Sequence, residues 1–104
     1  ADTFKAAAAG ADWSKAPGYY LVLTDQPGKN SWPISGATFI LMYKSQPKPE
    51  TAKEVLKFFD FAYSPDGDKL ADSLDYVPLP DAVTSQIRAS WKSQLKDTSG
   101  KPLY

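Results

Sequence analysis

The feature that most constrains the fold of this chain is a nearly unbroken apolar run in its middle, ATFILMY, at residues 37–43. Its β-branched and aromatic residues predict a β-strand over residues 36–44. Because apolar and polar residues do not alternate in this run, both faces of the strand should be buried, as in an α/β sheet. Neighbouring strands must therefore be supplied by the rest of the chain or by another polypeptide segment.

The remaining segments supply few such strands. Residues 19–24, YYLVLT, predict a second strand or extended segment, which ends in a turn at residues 25–30. Four helices are predicted: over residues 2–10, from residues 47–50 to about Tyr63, over residues 69–74, and from Pro80 and Asp81 to Leu95. Residues 64–68 predict a turn between the second and third helices, and residues 97–104 predict an irregular tail.

About two strands and four helices place the chain in the α/β class but leave its central strand without enough partners. Such a buried strand would carry unpaired backbone amides and carbonyls along at least one edge, which costs free energy. We therefore expect the missing strands to lie outside these 104 residues. The chain is predicted to be a fragment of a larger protein.

Charge and residue types exclude several classes of function. Twelve basic and twelve acidic residues cancel, so no overall positive field would attract nucleic acid. The absence of histidine and cysteine removes the commonest general base and metal ligand, together with all thiol chemistry. The Asp-Gly cluster at residues 66–68 lacks the alternating oxygen ligands of a calcium loop, so neither a metal nor a cofactor is expected. No export signal opens the sequence, so we expect any such signal to have been removed already or never to have been included.

Several short stretches follow one another along the chain: GADWSK at 10–15, SWPI at 31–34, TFIL at 38–41, EVLKFFD at 54–60, LDYVPLP at 74–80, IRASWK at 87–92 and SGKPLY at 99–104. In this order they resemble the C-terminal part of the periplasmic phosphate-binding protein family. These proteins are the substrate-binding components of bacterial high-affinity phosphate ABC transporters. The last stretch resembles the natural carboxyl end of the mature family members.

The resemblance implies a two-lobed periplasmic-binding-protein fold, type II-like, that closes on phosphate around a hinge and is much longer than this chain. Residues 1–30 would form the end of the second lobe and the return segment. Residues 31–104 would form the crossover and the C-terminal part of the first lobe. The implied location is the periplasm. The implied partners are inorganic phosphate, the membrane permease of the transporter and the missing N-terminal part of the same protein.

The resemblance places the crossover between the lobes, part of the hinge, at Ser31, Trp32, Pro33 and Ile34. A Trp-Pro pair suits such a position, because proline fixes one backbone dihedral and restrains the residue before it. Family members hold phosphate with helix N-terminal amides, hydroxyl groups, one arginine and one aspartate. These groups lie in segments upstream of this chain, so no phosphate-binding residue is expected here.

One weak match to a phosphate-binding turn remains. Ser35, Gly36 and Thr38 resemble the Ser-Gly-Thr turn of the family, but that turn requires a following helix whose amides converge on the anion. A strand is predicted to follow instead, which favours a close-packed strand entry. For Arg88 the sequence favours a surface ion pair or a snorkelling side chain over a phosphate clamp, and Asp60 is interpreted as a solvated group at a helix end.

Two classes of function follow from these observations. The first is phosphate binding and delivery to an ABC transporter, with this chain as a C-terminal scaffold and hinge fragment. The alternative is a structural or interaction module whose exposed strand edge and aromatic helix faces bind another chain. An enzyme is not expected, because no carboxylate pair lies on an apolar face at a spacing that suggests a shared pocket.

Overall fold

Four α-helices and two very short β-strands make up the regular structure of residues 2–104, which are the residues that the computed structural model describes. The helices are α1 (Asp2–Gly10), α2 (Pro49–Ala62), α3 (Pro65–Ser73) and α4 (Asp81–Gln94), and the strands are β1 (Ser45–Gln46) and β2 (Lys96–Asp97). Two 3-10 turns, Trp13–Lys15 and Pro17–Tyr19, follow α1. No helix in this described part of the chain is both long and apolar enough to cross a membrane.

Three of the four predicted helices lie where the sequence places them, and the third begins earlier. The prediction of a turn over residues 64–68 is wrong, because α3 already starts at Pro65. The Ser64 side chain accepts a hydrogen bond from the Gly67 amide at 3.2 Å, and Pro65 occupies the first turn. Asp66 and Asp68 add negative charge at the positive end of the helix dipole. These are ordinary helix-start signals.

The two predicted strands are absent from the described residues. Neither residues 19–24 nor residues 36–44 belong to a strand, and the prediction of a strand over residues 36–44 is wrong for this chain. For residues 19–24 the alternative of an extended segment remains, since residues 20–23 form neither helix, turn nor strand and Tyr20 has an extended backbone. The only sheet within residues 2–104 is the parallel pair of β1 and β2, in which Ser45 lies opposite Lys96. A strand forms only where a neighbour takes up its amides and carbonyls, and these segments have no such neighbour.

The core is divided into two apolar clusters. The first joins Ala8, Trp13 and Leu23, from the first thirty residues, to Val83 at the start of α4. The second joins α2 to the tail and consists of Ala52, Leu56, Leu95 and Leu103. Helix α4 contributes to both, with Ile87 packed on the first cluster and Trp91 on the second. Ala8, Trp13 and Leu23 therefore pack against the first half of α4 in this chain, while the assignment of residues 1–30 to a second lobe stays a prediction.

The tail after α4 is irregular from residue 98 onward, as predicted, but defined hydrogen bonds hold it against the rest of the chain. Strand β2 pairs with β1, and the Leu103 amide donates to the Leu95 carbonyl at 3.1 Å. Between them the chain turns around Asp97, whose Oδ1 accepts from the amides of Ser99 and Lys101 at 2.8 and 2.9 Å. Aspartate is favoured in such turns because its side chain can bond to backbone amides a few residues ahead.

Candidate functional site

The apolar segment, residues 36–44, faces two ways. Phe39 packs on the first core cluster and Met42 on the second. Ile40, Leu41 and Tyr43 point away from both clusters, and Leu41 is 93% and Tyr43 80% exposed. Contiguous large apolar side chains in solvent mark a surface that another structure covers. The apolar segment is thus half-buried on one side, at Phe39 and Met42, and exposed on the other.

The whole chain exposes more surface than its mass predicts. A compact monomer of 11.4 kDa should expose about 5,800 Å². The chain exposes 7240 Å². Its radius of gyration is 14.8 Å, where a compact domain of this length has about 13 Å. The excess, about 1,400 Å², is larger than the roughly 800 Å² that one partner contributes to a standard protein interface.

A cleft of about 310 Å³ separates the apolar segment from the helices beneath it. Phe39 and Met42 line one side, and Ile87 and Trp91 of α4 line the other. Among residues 2–104, Lys44 is the only charged residue that borders the cleft. A dehydrated phosphate needs many converging donors, so the cleft is chemically suited to apolar side chains rather than to an anion.

The predicted crossover residues are tied to the N-terminal part of the chain. The Trp32 amide donates to the Thr3 carbonyl at 3.0 Å, and the Pro33 carbonyl accepts from the Asp25 amide at 2.9 Å. The Ser31 hydroxyl donates to the Pro27 carbonyl at 3.1 Å. Trp32 and Ile34 are exposed. The crossover is therefore bonded to α1 and to residues 25–27 and leads directly into the apolar segment, while its role as a hinge stays a prediction.

The weak phosphate candidates do not form a cluster of free donors. Ser35 is 7% exposed, and its hydroxyl donates to the Trp32 carbonyl at 2.9 Å. Gly36 and Thr38 are exposed. No helix starts within residues 36–44, so helix N-terminal amides do not converge on this stretch. The Ser35 hydroxyl instead closes a local turn at the entry to the apolar segment.

The only arginine of the sequence belongs to a polar network between α2, α4 and the tail. Arg88 donates from Nε to Asp60 Oδ1 at 2.6 Å and from Nη2 to the Tyr63 carbonyl at 3.1 Å. Asp60 Oδ1 also accepts from the Tyr104 hydroxyl at 2.8 Å. The ion-pair interpretation of Arg88 is thus confirmed. Asp60 lies near the end of α2 with a side chain 41% exposed, as predicted, but it is also paired, which the sequence did not predict. The sequence held no signal for this network, because Asp60 and Tyr104 lie 44 residues apart.

These contacts change the acid–base properties of the network. The Arg88 guanidinium, with the Tyr104 hydroxyl as second donor, lowers the pKa of Asp60 below its ordinary value. Burial, followed by the hydrogen bond to Asp60, raises the pKa of Tyr104. Asp60 is therefore a carboxylate, Tyr104 is neutral and Arg88 is charged near neutral pH. Nε and Nη2 of Arg88 both donate to protein oxygens, so these two nitrogens connect α4 to the end of α2.

Comparisons with known proteins give a consistent result. No protein-family model matches the chain. The chain is 46% identical over all 104 residues to the phosphate-binding protein PstS of Pasteurella multocida, of which it covers 30%. It is 47% identical over 95 residues to PstS of Haemophilus influenzae, covering 28% of that protein, and 43% identical over 96 residues to PstS of Xylella fastidiosa, covering 26%.

The chain spans less than a third of the length of the curated relatives that it matches, which agrees with the expectation of a fragment. Identities of 43–47% over more than nine-tenths of the chain are too extensive for chance agreement. The chain is therefore similar in sequence, over more than nine-tenths of its length, to a segment of the phosphate-binding proteins PstS.

Proposed function

We propose that this chain is the C-terminal scaffold and crossover of a periplasmic phosphate-binding protein that delivers phosphate to an ABC transporter. In this proposal the fold is the two-lobed periplasmic-binding type, and residues 31–104 complete the first lobe. The phosphate ligands come from the part of the protein that precedes the chain. The membrane permease is the partner of the assembled protein, and the chain performs no catalysis.

The observation that carries the proposal is the one-sided burial of the apolar segment. Phe39 and Met42 are packed within the chain, whereas Ile40, Leu41 and Tyr43 remain in solvent. Apart from the Lys44 carbonyl, which accepts from the Lys96 amide, the backbone of residues 36–44 has no ladder partner in the described structure. Strands from the upstream part of the same protein would satisfy these amides and cover these side chains together.

Two groups of this chain that could bind phosphate are already hydrogen-bonded within it. Arg88 is held by Asp60 and by the Tyr63 carbonyl, and the Ser35 hydroxyl is held by the Trp32 carbonyl. Binding of a dehydrated phosphate by Nε or Nη2 of Arg88 or by the Ser35 hydroxyl would require breaking existing hydrogen bonds in the chain. The proposal therefore assigns structural support to this segment and phosphate recognition to other segments.

Calorimetric titration of the 104-residue chain with inorganic phosphate tests whether the phosphate ligands lie in upstream segments. We expect no heat of tight binding from the chain alone, and micromolar binding by the complete protein that contains it. Micromolar or tighter binding by the chain alone would refute the assignment of the phosphate ligands to upstream segments.

Substitution of an exposed side chain of the apolar segment tests whether upstream strands cover this surface. In the complete protein, Leu41→Asp would bury an unpaired carboxylate among the upstream strands, which costs several kcal/mol. Leu70→Asp, on the exposed face of α3, is the matched control and should leave stability nearly unchanged. Equal stability of the two variants, measured by urea unfolding, would show that nothing covers Leu41.

The exposed faces of α2 and α3 favour a second function, that of an interaction module. Phe58 and Phe61 of α2, Leu70 of α3 and Leu74 directly after α3 are exposed. They would bind another chain through apolar contacts. Sedimentation analysis of the 104-residue chain separates the two functions. Association that Phe58→Ser abolishes and Leu41→Asp leaves intact would favour the interaction module, and the reverse pattern would favour strand completion.

A further inference from the structure

The tail after α4 connects the polar network to the end of the apolar segment. The Lys96 amide donates to the Lys44 carbonyl at 2.9 Å, and β2 pairs with β1 directly behind the last residue of the apolar segment. At its other end the tail carries Tyr104, whose hydroxyl reaches Asp60 of α2. A single stretch of nine residues, 96–104, thus joins the apolar segment to two helices.

The ring and the hydroxyl of Tyr104 make separate contacts. The ring meets the Trp91 ring of α4 edge-on, with 5.2 Å between the ring centres. The hydroxyl donates to the same carboxylate oxygen of Asp60 that accepts from Arg88. Hydrogen bonds to an ionised acceptor are about twice as strong as neutral ones. Tyr104 therefore connects the tail to both α2 and α4 through directional contacts as well as apolar ones.

We propose that Tyr104, Asp60 and Arg88 form a latch that holds the tail across α2 and α4 and so fixes the orientation of the apolar segment. The latch acts by keeping the tail in contact with α4. If the Tyr104 contact is lost, residues 96–104 can move away from α4, β2 then separates from β1, and Lys44 loses its only cross-strand hydrogen bond to the tail. The part of this proposal that concerns orientation toward upstream strands rests on the proposed function.

Hydrogen exchange of the 104-residue chain measures the latch without phosphate or a partner. The probes are the amides of Lys96 and Leu103, which bond to Lys44 and Leu95. Tyr104→Phe removes only the hydroxyl and should raise exchange at both amides about tenfold, since a hydrogen bond to a charged group contributes at least one factor of ten. Tyr104→Ala also removes the ring contact and should raise exchange about a hundredfold.

The control is Tyr76→Phe, because the Tyr76 ring is 71% exposed and lies outside the tail. Unchanged exchange at Lys96 and Leu103 in Tyr104→Phe, relative to this control, would overturn the latch. A uniform rise that includes the amides of α1 would overturn it as well, since that result would indicate global destabilisation rather than release of the tail.

A second readout separates failure of the latch from failure of the proposed function. When the 104-residue chain is mixed with the separately produced upstream part, Tyr104→Phe should weaken association about tenfold, whereas Leu41→Asp should abolish it. If exchange responds to Tyr104→Phe but Leu41→Asp leaves association intact, the latch stands and strand completion fails. If exchange does not respond, the latch is refuted whatever Leu41→Asp does.

Discussion

The corner between α2 and α3 allows a prediction whose size can be worked out from distances. Gly67 lies buried in the first turn of α3, and its α-carbon faces the end of α2. A β-carbon added there would lie 2.5 Å from the carbonyl oxygens of both Phe61 and Ala62. Ordinary contacts begin near 3.4 Å, so the two helices would have to separate by about 0.9 Å in Gly67→Ala.

Two effects of opposite sign act in this variant. Overpacking against rigid backbone costs about 1–3 kcal/mol, and the shift also stretches the cap between the Gly67 amide and Ser64, which contributes about 1 kcal/mol. The higher helix propensity of alanine relative to glycine stabilises the helix by about 1 kcal/mol. The net expectation for Gly67→Ala is a loss of about 1–3 kcal/mol in the free energy of unfolding.

Urea unfolding, monitored by circular dichroism, measures this loss. We expect a lower urea concentration at the midpoint and an unchanged dependence of the free energy of unfolding on urea concentration. Gly36→Ala is the matched control, because no atom lies within 4 Å of its added β-carbon, and we expect a change below about 0.5 kcal/mol. A Gly67→Ala protein as stable as the parent chain would refute the reasoning, since helix propensity would then outweigh the contact between the helices.

Three further predictions concern the core, a helix cap and the pH response. Leu56→Ala, at a fully buried position, should cost about 2–5 kcal/mol in urea unfolding, while Leu41→Ala should cost less than about 0.5 kcal/mol in the same chain. Ser64→Ala should cost about 1 kcal/mol and lower the helical signal in circular dichroism. Because the pKa of Asp60 is lower in the folded chain than its ordinary value, the ionised carboxylate stabilises the fold at pH values above the ordinary aspartate pKa. This stabilisation should disappear as the pH falls through the lowered pKa of the folded chain. The Arg88→Met variant should show a weaker dependence of the unfolding midpoint in that acidic range.

Local signals were sufficient for the helices. Apolar residues at three- and four-residue steps predicted α2 and α4 within a residue or two of their observed ends. The early start of α3 was missed because Ser64 and Pro65 were interpreted as a turn, although Ser-Pro-Asp is also a helix start. Helices form bonds within their own segment, so short sequence windows contain most of the information that is needed.

Strands and the polar network depend on residues far away in the sequence. The composition of residues 36–44 predicts a buried strand, but its ladder needs partners that residues 2–104 do not provide. The contacts between Asp60, Arg88 and Tyr104 exist only after the tail has folded across α2 and α4. Nothing in the spacing of these residues predicted that Asp60 would be paired.

The order of short stretches along the sequence was enough to suggest the family and the incompleteness of the chain, since both depend on residue identity and local pattern. Tertiary packing alone established which side of residues 36–44 is covered, which contacts hold the tail and which oxygens accept hydrogen bonds from Arg88. The physical reason is that burial and long-range hydrogen bonds are properties of several segments together. One segment of sequence can reveal that it needs a partner, but only the folded chain shows which of its faces is still without one.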